Sequence, residues 1–227
     1  MLYAHPPRAD GDIVSVIDAF LAIEGTSAHP YVRALTVSAT ATTTHPLADL
    51  ADAAHYLCLL HGRYPGVVDH AATHSADNAA RQWLLRACDG FADERAYLTG
   101  VSVALGPVPS TAGQAGTDSA ILQQRHALEM LSQSDRRGCA MGAALTLALD
   151  WRGVRDLIDR AAIRVGLEPA QWTLPQPAET REVLDAIAVD SAVARAIQFG
   201  ARQLLGQHRG LWELLRARSD IRAAAMA

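Results

Sequence analysis

The chain has 227 residues, of which 50% are hydrophobic and only 5% aromatic, and its formal net charge at pH 7 is -4. Its length is enough to bury a full hydrophobic core and is typical of one domain. All 20 basic residues are arginine, which excludes a lysine Schiff base and the lysine of a phosphate-binding P-loop. Because arginines and carboxylates are interspersed, the sequence also predicts no nucleic-acid-binding surface.

The cysteines and the N-terminus indicate a cellular location. Cys58, Cys88 and Cys139 lie in separate apolar stretches and form no CxxC or Cys/His metal-binding spacing, so we interpret them as buried free thiols in a reducing compartment. The N-terminal sequence MLYAHPPRADGD has no apolar run of the kind found in secretory signals. No stretch reaches about 18 consecutive apolar residues. The sequence therefore predicts a soluble cytoplasmic protein without a membrane span.

Apolar residues recur every three or four positions along most of the chain, which is typical of amphipathic helices. Abundant Ala and few aromatic residues also favour helix over strand. We predict that residues 1–9 form a flexible N-terminal arm and residues 10–227 a single all-helical domain. Residues 31–40 fit either a short helix or an extended segment. In the first half of the chain, the predicted helices cover residues 10–22, 46–61, 65–73 and 78–103.

The second half begins with a Gly- and Pro-rich stretch, GPVPSTAGQAG at 106–116, which predicts a loop. A helix capped by Thr117 or Asp118 follows it, and a second irregular connection is predicted at 166–178. In this half of the chain, the predicted helices cover residues 117–133, 135–165, 179–188 and 191–218.

The stretch at 135–165 is the segment around which we expect the domain to pack. Residues 138–149 carry no charge and are rich in Ala, Leu and Gly. A helix that is apolar all round is usually buried on all sides. Gly138 and Gly142 lie one turn apart, where small side chains let another helix approach closely. The predicted fold is therefore an all-α bundle of about seven helices around this central apolar helix.

Four ionisable residues fall on the predicted apolar faces of four different helices. An unpaired charge in a core costs several kcal/mol, so such groups pair, bind a metal or shift their pKa toward the neutral form. Two His and two carboxylates from separate helices are ligands typical of metal sites inside helical bundles. We predict an internal polar pocket, with a transition metal such as iron or zinc as one occupant. The pocket and metal-ligand candidates are His61, Glu94, Asp150 and His208.

The alternative explanation is that each of these four residues makes a hydrogen bond or an ion pair with a group close to it. Glu94 would then pair with an arginine, and Asp150 would lie at the edge of its apolar face beside Arg152 or Arg155. Each histidine would donate to a backbone carbonyl. The sequence leaves both explanations open.

His126 and Glu129 add a further candidate pair, because residues at i and i+3 share one face of a helix. They are interpreted either as a His–Glu pair at the entrance of the pocket or as an exposed helical pair. The dinuclear carboxylate proteins use Glu-x-x-His twice. Here the order is reversed and occurs once, which argues against that type of metal site.

The central segment also resembles a known group of proteins. GPVPSTAGQAGTD, followed by QQRHALEMLSQSDRRGCAMGAALTLALDW, is similar to the central segment of a bacterial all-helical family of unknown function. The resemblance covers about residues 60–165 and implies no activity, so it assigns no site residues. The helical layout is similar only at the level of fold to haem-oxygenase-like and ferritin-like bundles, and fold alone does not give function.

Two classes of function fit these observations. The first is a small-molecule-binding or metal-binding protein, with redox or metal-assisted hydrolytic chemistry if a metal is bound and acid–base chemistry by His if none is. A metal-dependent oxidoreductase belongs to this class. The second is a non-enzymatic interaction or oligomerisation module in which the polar residues only fix packing. We favour the first class, because four helices carry the same kind of polar residue, and the sequence does not decide whether the protein is an enzyme.

The last helix suggests a partner. It carries a run of large apolar residues that could be buried against a second copy of the chain, and homodimers are the commonest soluble oligomers. The alternative is that this helix covers its own domain. The residues concerned are Leu204, Leu205, Leu211, Trp212 and Leu215.

Overall fold

A computed structural model describes residues 12–36, 47–74 and 78–226 of the chain. The structure is 80% helical and has no strand within these residues, which confirms the all-α prediction. The predicted N-terminal arm lies outside the described residues. In chain order, the helices are α1 (Ile13–Glu24), α2 (Pro30–Thr36), α3 (Leu47–His61), α4 (Val67–His74), α5 (Arg81–Leu105), α6 (Gln114–Ser132), α7 (Cys139–Arg164), α8 (Pro177–Ile187) and α9 (Ser191–Met226).

The described residues thus form nine helices, where we expected about seven. The helix predicted at 65–73 is present as α4, and each of the eight predicted ranges contains a helix, so α2 is the additional one. α2 occupies part of the segment that fitted either a helix or an extended chain. It begins with Pro30, whose fixed φ and missing N–H suit the first position of a helix.

Two predicted helix starts are wrong, and glycine explains both. α6 begins at Gln114, inside the predicted loop, directly after Gly113 with φ +79°. α7 begins at Cys139, after Gly138 with φ +93°. A left-handed φ is readily adopted only by glycine, so the loop turns into the helix at each glycine. Thr117 therefore lies inside α6 and does not cap it.

α7 is buried along most of its length, and it packs against α2, α3, α4, α5, α6, α8 and α9. Its approach to α9 is very close. A Cβ atom added at Gly142 would collide with the backbone of Ile197, and one added at Gly200 would collide with the backbone of Cys139. The close helix contact predicted from the small residues of α7 is confirmed at Gly142.

The apolar face of α9 is covered by the chain itself. Residues from all nine described helices contribute to one connected hydrophobic core. The residues predicted to face a second copy are all buried, each at most 1% exposed: Leu204, Leu205, Leu211, Trp212 and Leu215. The predicted dimer surface is therefore unavailable to a partner, because packing against α7 and its neighbours already buries it.

Two further sequence predictions concern membrane-spanning helices and free cysteines. None of the helices described is both long and apolar enough to cross a membrane. All three cysteines are free thiols, and Cys139 is buried, whereas Cys58 and Cys88 are only partly buried.

The site is built where α3, α7 and α9 pack against one another and against a single 3-10 turn, Thr26–Ala28, that links α1 to α2.

Candidate functional site

Three of the four predicted pocket residues form one continuous hydrogen-bonded line. His61, the last residue of α3, lies with its Nε2 atom 2.9 Å from Nε2 of His208 on α9. On the other side of the same ring, His208 Nδ1 lies 2.7 Å from Asp150 Oδ2 on α7. The structure therefore brings together residues that lie 147 and 58 positions apart in the chain. We call this line the histidine relay.

The inner end of the histidine relay is fixed by the 3-10 turn. The Thr26 backbone N–H donates to Asp150 Oδ1 over 2.7 Å, and the Thr26 hydroxyl donates to Asp150 Oδ2 over 2.6 Å. Trp212 Nε1–H in turn donates to Thr26 Oγ1 over 3.1 Å. Thr26 thus places one donor on each oxygen of Asp150, and the carboxylate acts as an acceptor toward the turn.

Two glycines make room for this turn. A Cβ atom at Gly25 would lie 2.9 Å from Asp150 Oδ1, and one at Gly153 would lie 2.9 Å from the backbone nitrogen of Ser27. Gly153 lies one helical turn after Asp150 on α7, so it shares the face on which the carboxylate stands. The absence of side chains at both positions lets Thr26 reach a buried carboxylate directly.

One pattern of tautomers follows from a neutral His208 ring. His208 then donates to Asp150 through Nδ1–H and presents a lone pair at Nε2. His61 donates to that lone pair through its own Nε2–H. The remaining nitrogen, His61 Nδ1, therefore carries a lone pair. It has no hydrogen-bonding partner in the described part of the chain, and it is not fully buried.

Burial keeps the outer ring neutral. The pKa of His61 is lowered well below its usual value, chiefly because burial penalises the charged form and secondly because a positive charge on His208 repels it. The His61 ring also meets the Trp151 ring edge-on, with ring centroids 5.4 Å apart. His208 itself is fully buried. At neutral pH His61 is thus an uncharged acceptor held in place by two rings.

Glu94 belongs to a neighbouring network and does not join the line. Its Oε1 accepts from Arg155 Nη1 over 2.6 Å, and its Oε2 accepts from Trp151 Nε1 over 2.9 Å. Burial raises the pKa of Glu94, although the hydrogen bond from Trp151 and the charge of Arg155 oppose the shift. The sequence left two explanations open for Glu94, and pairing with an arginine is the one observed. Arg155, offered as a neighbour of Asp150, instead pairs with Glu94 and with Asp159.

The four predicted metal ligands are therefore not gathered around one point. His61, His208 and Asp150 contact one another in a line, and Glu94 reaches His61 only through the Trp151 side chain that lies between them. Within residues 12–36, 47–74 and 78–226, no group of three or more His, Cys, Asp or Glu side chains is placed to hold a metal ion.

The outer end of the histidine relay opens into a small cleft. Its cavity volume is about 30 Å³, which has room for about one or two water molecules. Trp151 and Phe91 form part of its apolar wall. The polar side chains on its lining, besides His61 and Ser132, are Arg63, His70, Arg95, Arg125 and Glu129.

Of the predicted pair at the entrance, only one residue lines the cleft. Glu129 lies on the lining, whereas the His126 side chain is 73% exposed and does not. His126 Nδ1 and Glu129 Oε2 are 3.8 Å apart, which is too long for a hydrogen bond. His126 is therefore an exposed helical residue, as the second interpretation of this pair had it.

Sequence reasoning missed the residues that complete the site. Thr26 was not recognised as the partner of Asp150, nor Trp212 as the partner of Thr26, because the 3-10 turn lies outside any helical periodicity and brings its threonine across 124 residues of sequence. Arg63 lies in GRYPG, which reads only as a break between helices. The available signal was a positive charge directly after a helix that ends in His61.

Together, the fold and the site define an all-helical protein with a buried His–His–Asp network that ends at a cationic cleft. A family model described as a family of unknown function (DUF6975) matches residues 21–223, so the chain belongs to this family. The match agrees with the resemblance drawn from the central segment. No curated protein matches the chain, and no solved structure does either.

Proposed function

We propose that this protein binds a small molecule in the cleft at His61 and that His61 Nδ1 acts there as a proton acceptor. One observation carries the proposal. The histidine relay is fully hydrogen-bonded at its inner end, and its outer end is a ring nitrogen with a lone pair and no partner in the described residues. Because this nitrogen is not fully buried, a molecule in the cleft that His61 lines can reach its lone pair and donate a proton to it.

The relay offers a route for the accepted proton. When His61 Nδ1 takes a proton from the ligand, His61 can pass its Nε2 proton to Nε2 of His208. The positive charge then lies on His208, 2.7 Å from the Asp150 carboxylate, and His61 is neutral again with its proton on Nδ1. A buried cation is stable only beside such a partner. Asp150 thus supports proton uptake at His61 without touching the ligand.

The size of the cleft limits what reaches His61. A volume of about 30 Å³ admits a water molecule or a small reacting group. The rest of a ligand must lie toward the charged side chains that line the cleft. General acid–base catalysis needs the base within hydrogen-bonding distance of the proton it removes. The reaction supported best is therefore proton abstraction from a small ligand, or from a water molecule that attacks one.

A ligand screen tests this proposal. Thermal melting is measured with a panel of small organic acids, amines, alcohols and phosphate esters. A compound at a hundred times its Kd should add about 2.7 kcal/mol of stability. We expect at least one compound to raise the Tm of the wild type, His61→Gln to reduce that shift, and the exposed variant His126→Gln to keep it in full. NMR of protein labelled with ¹⁵N-histidine then shows whether the histidine relay gains a proton when the compound binds.

The proposal is overturned if no compound shifts the wild-type Tm, or if His61→Gln keeps every shift. The metal-dependent form of this function, including an oxidoreductase with iron or zinc, stays a prediction from the sequence. Elemental analysis of protein purified without a metal-affinity tag tests it, since a true site should hold close to one equivalent of metal.

A second candidate function is the interaction module, and one surface favours it. A groove of about 340 Å³ lies between α6 and α9, and Met130 and Phe199, 60% and 47% exposed, lie beside it. Exposed apolar patches mark protein contacts more often than chance. If a homodimer forms, this groove and not the buried face of α9 is the surface to test. Light scattering of the wild type and Phe199→Ser decides, and a wild-type monomer at tens of micromolar removes this candidate.

A further inference from the structure

Three arginines surround the cleft into which His61 opens. Arg63, Arg95 and Arg125 all lie on its lining, and among the described residues Glu129 is the only carboxylate there. The lining carries a formal excess of two positive charges, which Asp69, paired with Arg95, reduces to one, in a chain whose net charge is -4. A positive cleft on an acidic protein concentrates anions, because the field of the local charges dominates at short range.

The ion pairs that these three arginines already make use only part of their hydrogen-bond donors. Each guanidinium has five N–H donors. Arg95 donates through Nη1 to Asp69 over 3.0 Å, which is a good charged hydrogen bond between two largely buried side chains. Arg125 lies 3.7 Å from Glu129, beyond hydrogen-bonding distance. Arg63 is exposed and has no ion pair in the described part of the chain.

The neutral state of His61 determines where an anion can lie. A lone pair on Nδ1 repels a negative oxygen, so the anionic group of a ligand cannot contact His61. The same lone pair attracts an acidic hydrogen. A ligand that satisfies both requirements has its anionic oxygens at the arginines and its removable proton at His61.

We propose, on the basis of the proposed function, that the ligand is a small oxyacid. Its carboxylate or phosphate group is held by Arg63 and Arg125, with Arg95 behind them, and its acidic hydrogen faces His61. Arginine suits this role, because its planar fork matches two oxygens of a carboxylate or phosphate.

The arginines also stabilise the product of proton transfer. Removing a proton from an oxyacid monoanion leaves a second negative charge on the ligand, and the proton passes to His61 Nδ1. Donors that point at developing charge in a water-poor site contribute strongly to catalysis. In the free protein, burial and repulsion by His208 lower the pKa of His61, so the base is neutral before the ligand binds.

Anion binding by arginine variants tests the inference. The probes are sodium acetate and sodium phosphate, titrated at constant ionic strength with sodium chloride and followed by the NMR signals of the Arg side chains and by Tm. We expect Arg63→Gln and Arg125→Gln each to raise the Kd of the bound probe about tenfold or more, because a hydrogen bond to a charged group is lost. Whether acetate or phosphate binds more tightly distinguishes a carboxylate ligand from a phosphate ligand.

The control is Arg216→Gln, which removes the same charge from an exposed site on α9 that is paired with Glu213. It should leave the Kd unchanged. Arg95 is left intact, since its loss would strand buried Asp69. Equal Kd values for Arg63→Gln, Arg125→Gln and Arg216→Gln, or no binding of either probe, overturn the inference.

His61→Gln separates this inference from the proposed function. The variant should still bind the anion, because the arginines are present, but the ¹⁵N signals of its histidine rings should no longer show a proton passing from the ligand to the relay. If a neutral compound from the screen binds in a His61-dependent way and neither anion does, the proposed function stands and the oxyacid inference is wrong. If the anion binds through the arginines and His61→Gln changes nothing, the inference stands and the role of His61 is wrong.

Discussion

Helices α3 and α9 are joined by two buried polar networks that end differently. Near one end of the pair, Asp49 and Asp52 of α3 bind Arg218 and Arg222 of α9. We call these four residues the arginine–aspartate clamp. Nine residues further along α3, a distance of about 13 Å at 1.5 Å per residue, His61 meets His208. The two helices run antiparallel, so the same pair of elements carries both networks.

The arginine–aspartate clamp is complete at its carboxylates. Both oxygens of Asp52 accept from Arg218, and Asp52 Oδ2 also accepts from Arg222. Asp49 accepts from Arg222 and from Ser219. Every carboxylate oxygen therefore has a donor, while Arg218 Nη1 is buried without a partner in the described part of the chain. Buried charged pairs of this kind fix the packing of helices.

The histidine relay has one complete end and one open end. Asp150 is as well satisfied as the clamp carboxylates, but the line continues through His208 to His61 and ends at a cleft. The comparison shows that burial of ionisable groups does not by itself indicate function. The informative feature is a buried network that ends at an unpaired atom facing a cleft.

Breaking the clamp should produce the largest effect on stability. Arg218→Met keeps most of the apolar volume but leaves Asp52, which is fully buried, without its main partner. Stranding a buried charge in this way destabilises a protein by about 3–5 kcal/mol. Urea denaturation measures the loss. Arg216→Met on the same helix, 57% exposed, should change the free energy of unfolding by about 0–1 kcal/mol.

An equal, small effect of Arg218→Met and Arg216→Met would show that the clamp does not hold α3 against α9. Restoration of stability by adding Asp52→Leu to Arg218→Met would support the stranded charge as the cause. The double variant removes both charges and leaves an apolar pair.

Disturbing the inner end of the relay should have an intermediate effect. The Cβ of Gly153→Ala would press on the backbone of Ser27 and move Thr26 away from Asp150. Overpacking of this kind destabilises by about 1–3 kcal/mol.

The matched control is Gly206→Ala in α9, where a Cβ meets nothing within 4 Å. It should stabilise the protein by about 0.5–1 kcal/mol, since Ala favours a helix over Gly. Thermal and urea unfolding of both variants give the comparison, and a stabilising Gly153→Ala would contradict it.

At acid pH, protonation of His61 should lower the free energy of unfolding, and this should be the smallest of the three effects on stability. The unfolded chain protonates this residue below its usual pKa of about 6.5, whereas the folded protein does not, because burial lowers the pKa of His61. Stability is therefore complete above about pH 6.5 and falls below it, by at most about 1.4 kcal/mol per pH unit for one proton. Burial lowers the pKa of His29 and of His55 in the same direction, so the test compares variants.

The free energy of unfolding is measured between pH 5 and 8 for the wild type, His61→Gln and His126→Gln. The first variant should show a shallower decline toward acid than the wild type, and the exposed control should keep the wild-type slope. Parallel curves for all three proteins would mean that His61 does not resist protonation in the folded state.

Much of the fold follows from the sequence, because helical periodicity is a local signal. The apolar character of α7 and its glycines predicted a buried helix in close contact with another, and the structure places Gly142 against Ile197. Helix starts were less predictable. Gly113 and Gly138 adopt left-handed conformations that end the preceding loops, and composition alone does not show which loop glycine takes this role.

The site was only partly predictable, for a physical reason. A polar residue on an apolar helix face shows that a partner must exist, and this logic selected His61, Asp150 and His208. It does not identify the partner. The donors to Asp150 come from Thr26 on a 3-10 turn, and the partner of Glu94 is Arg155, so convergence in three dimensions decides which polar residues share a network.

The protonation states of the two histidine rings test the central claim most directly. In protein labelled with ¹⁵N-histidine, NMR at pH 7.5 distinguishes protonated from unprotonated ring nitrogens, and the variants His61→Gln and His208→Gln assign the signals. We expect His61 to be neutral, with its proton on Nε2 and an unprotonated Nδ1 whose shift moves when acetate or phosphate is added. A proton on His61 Nδ1 in the free protein, or a positively charged His61 ring at this pH, would contradict the account.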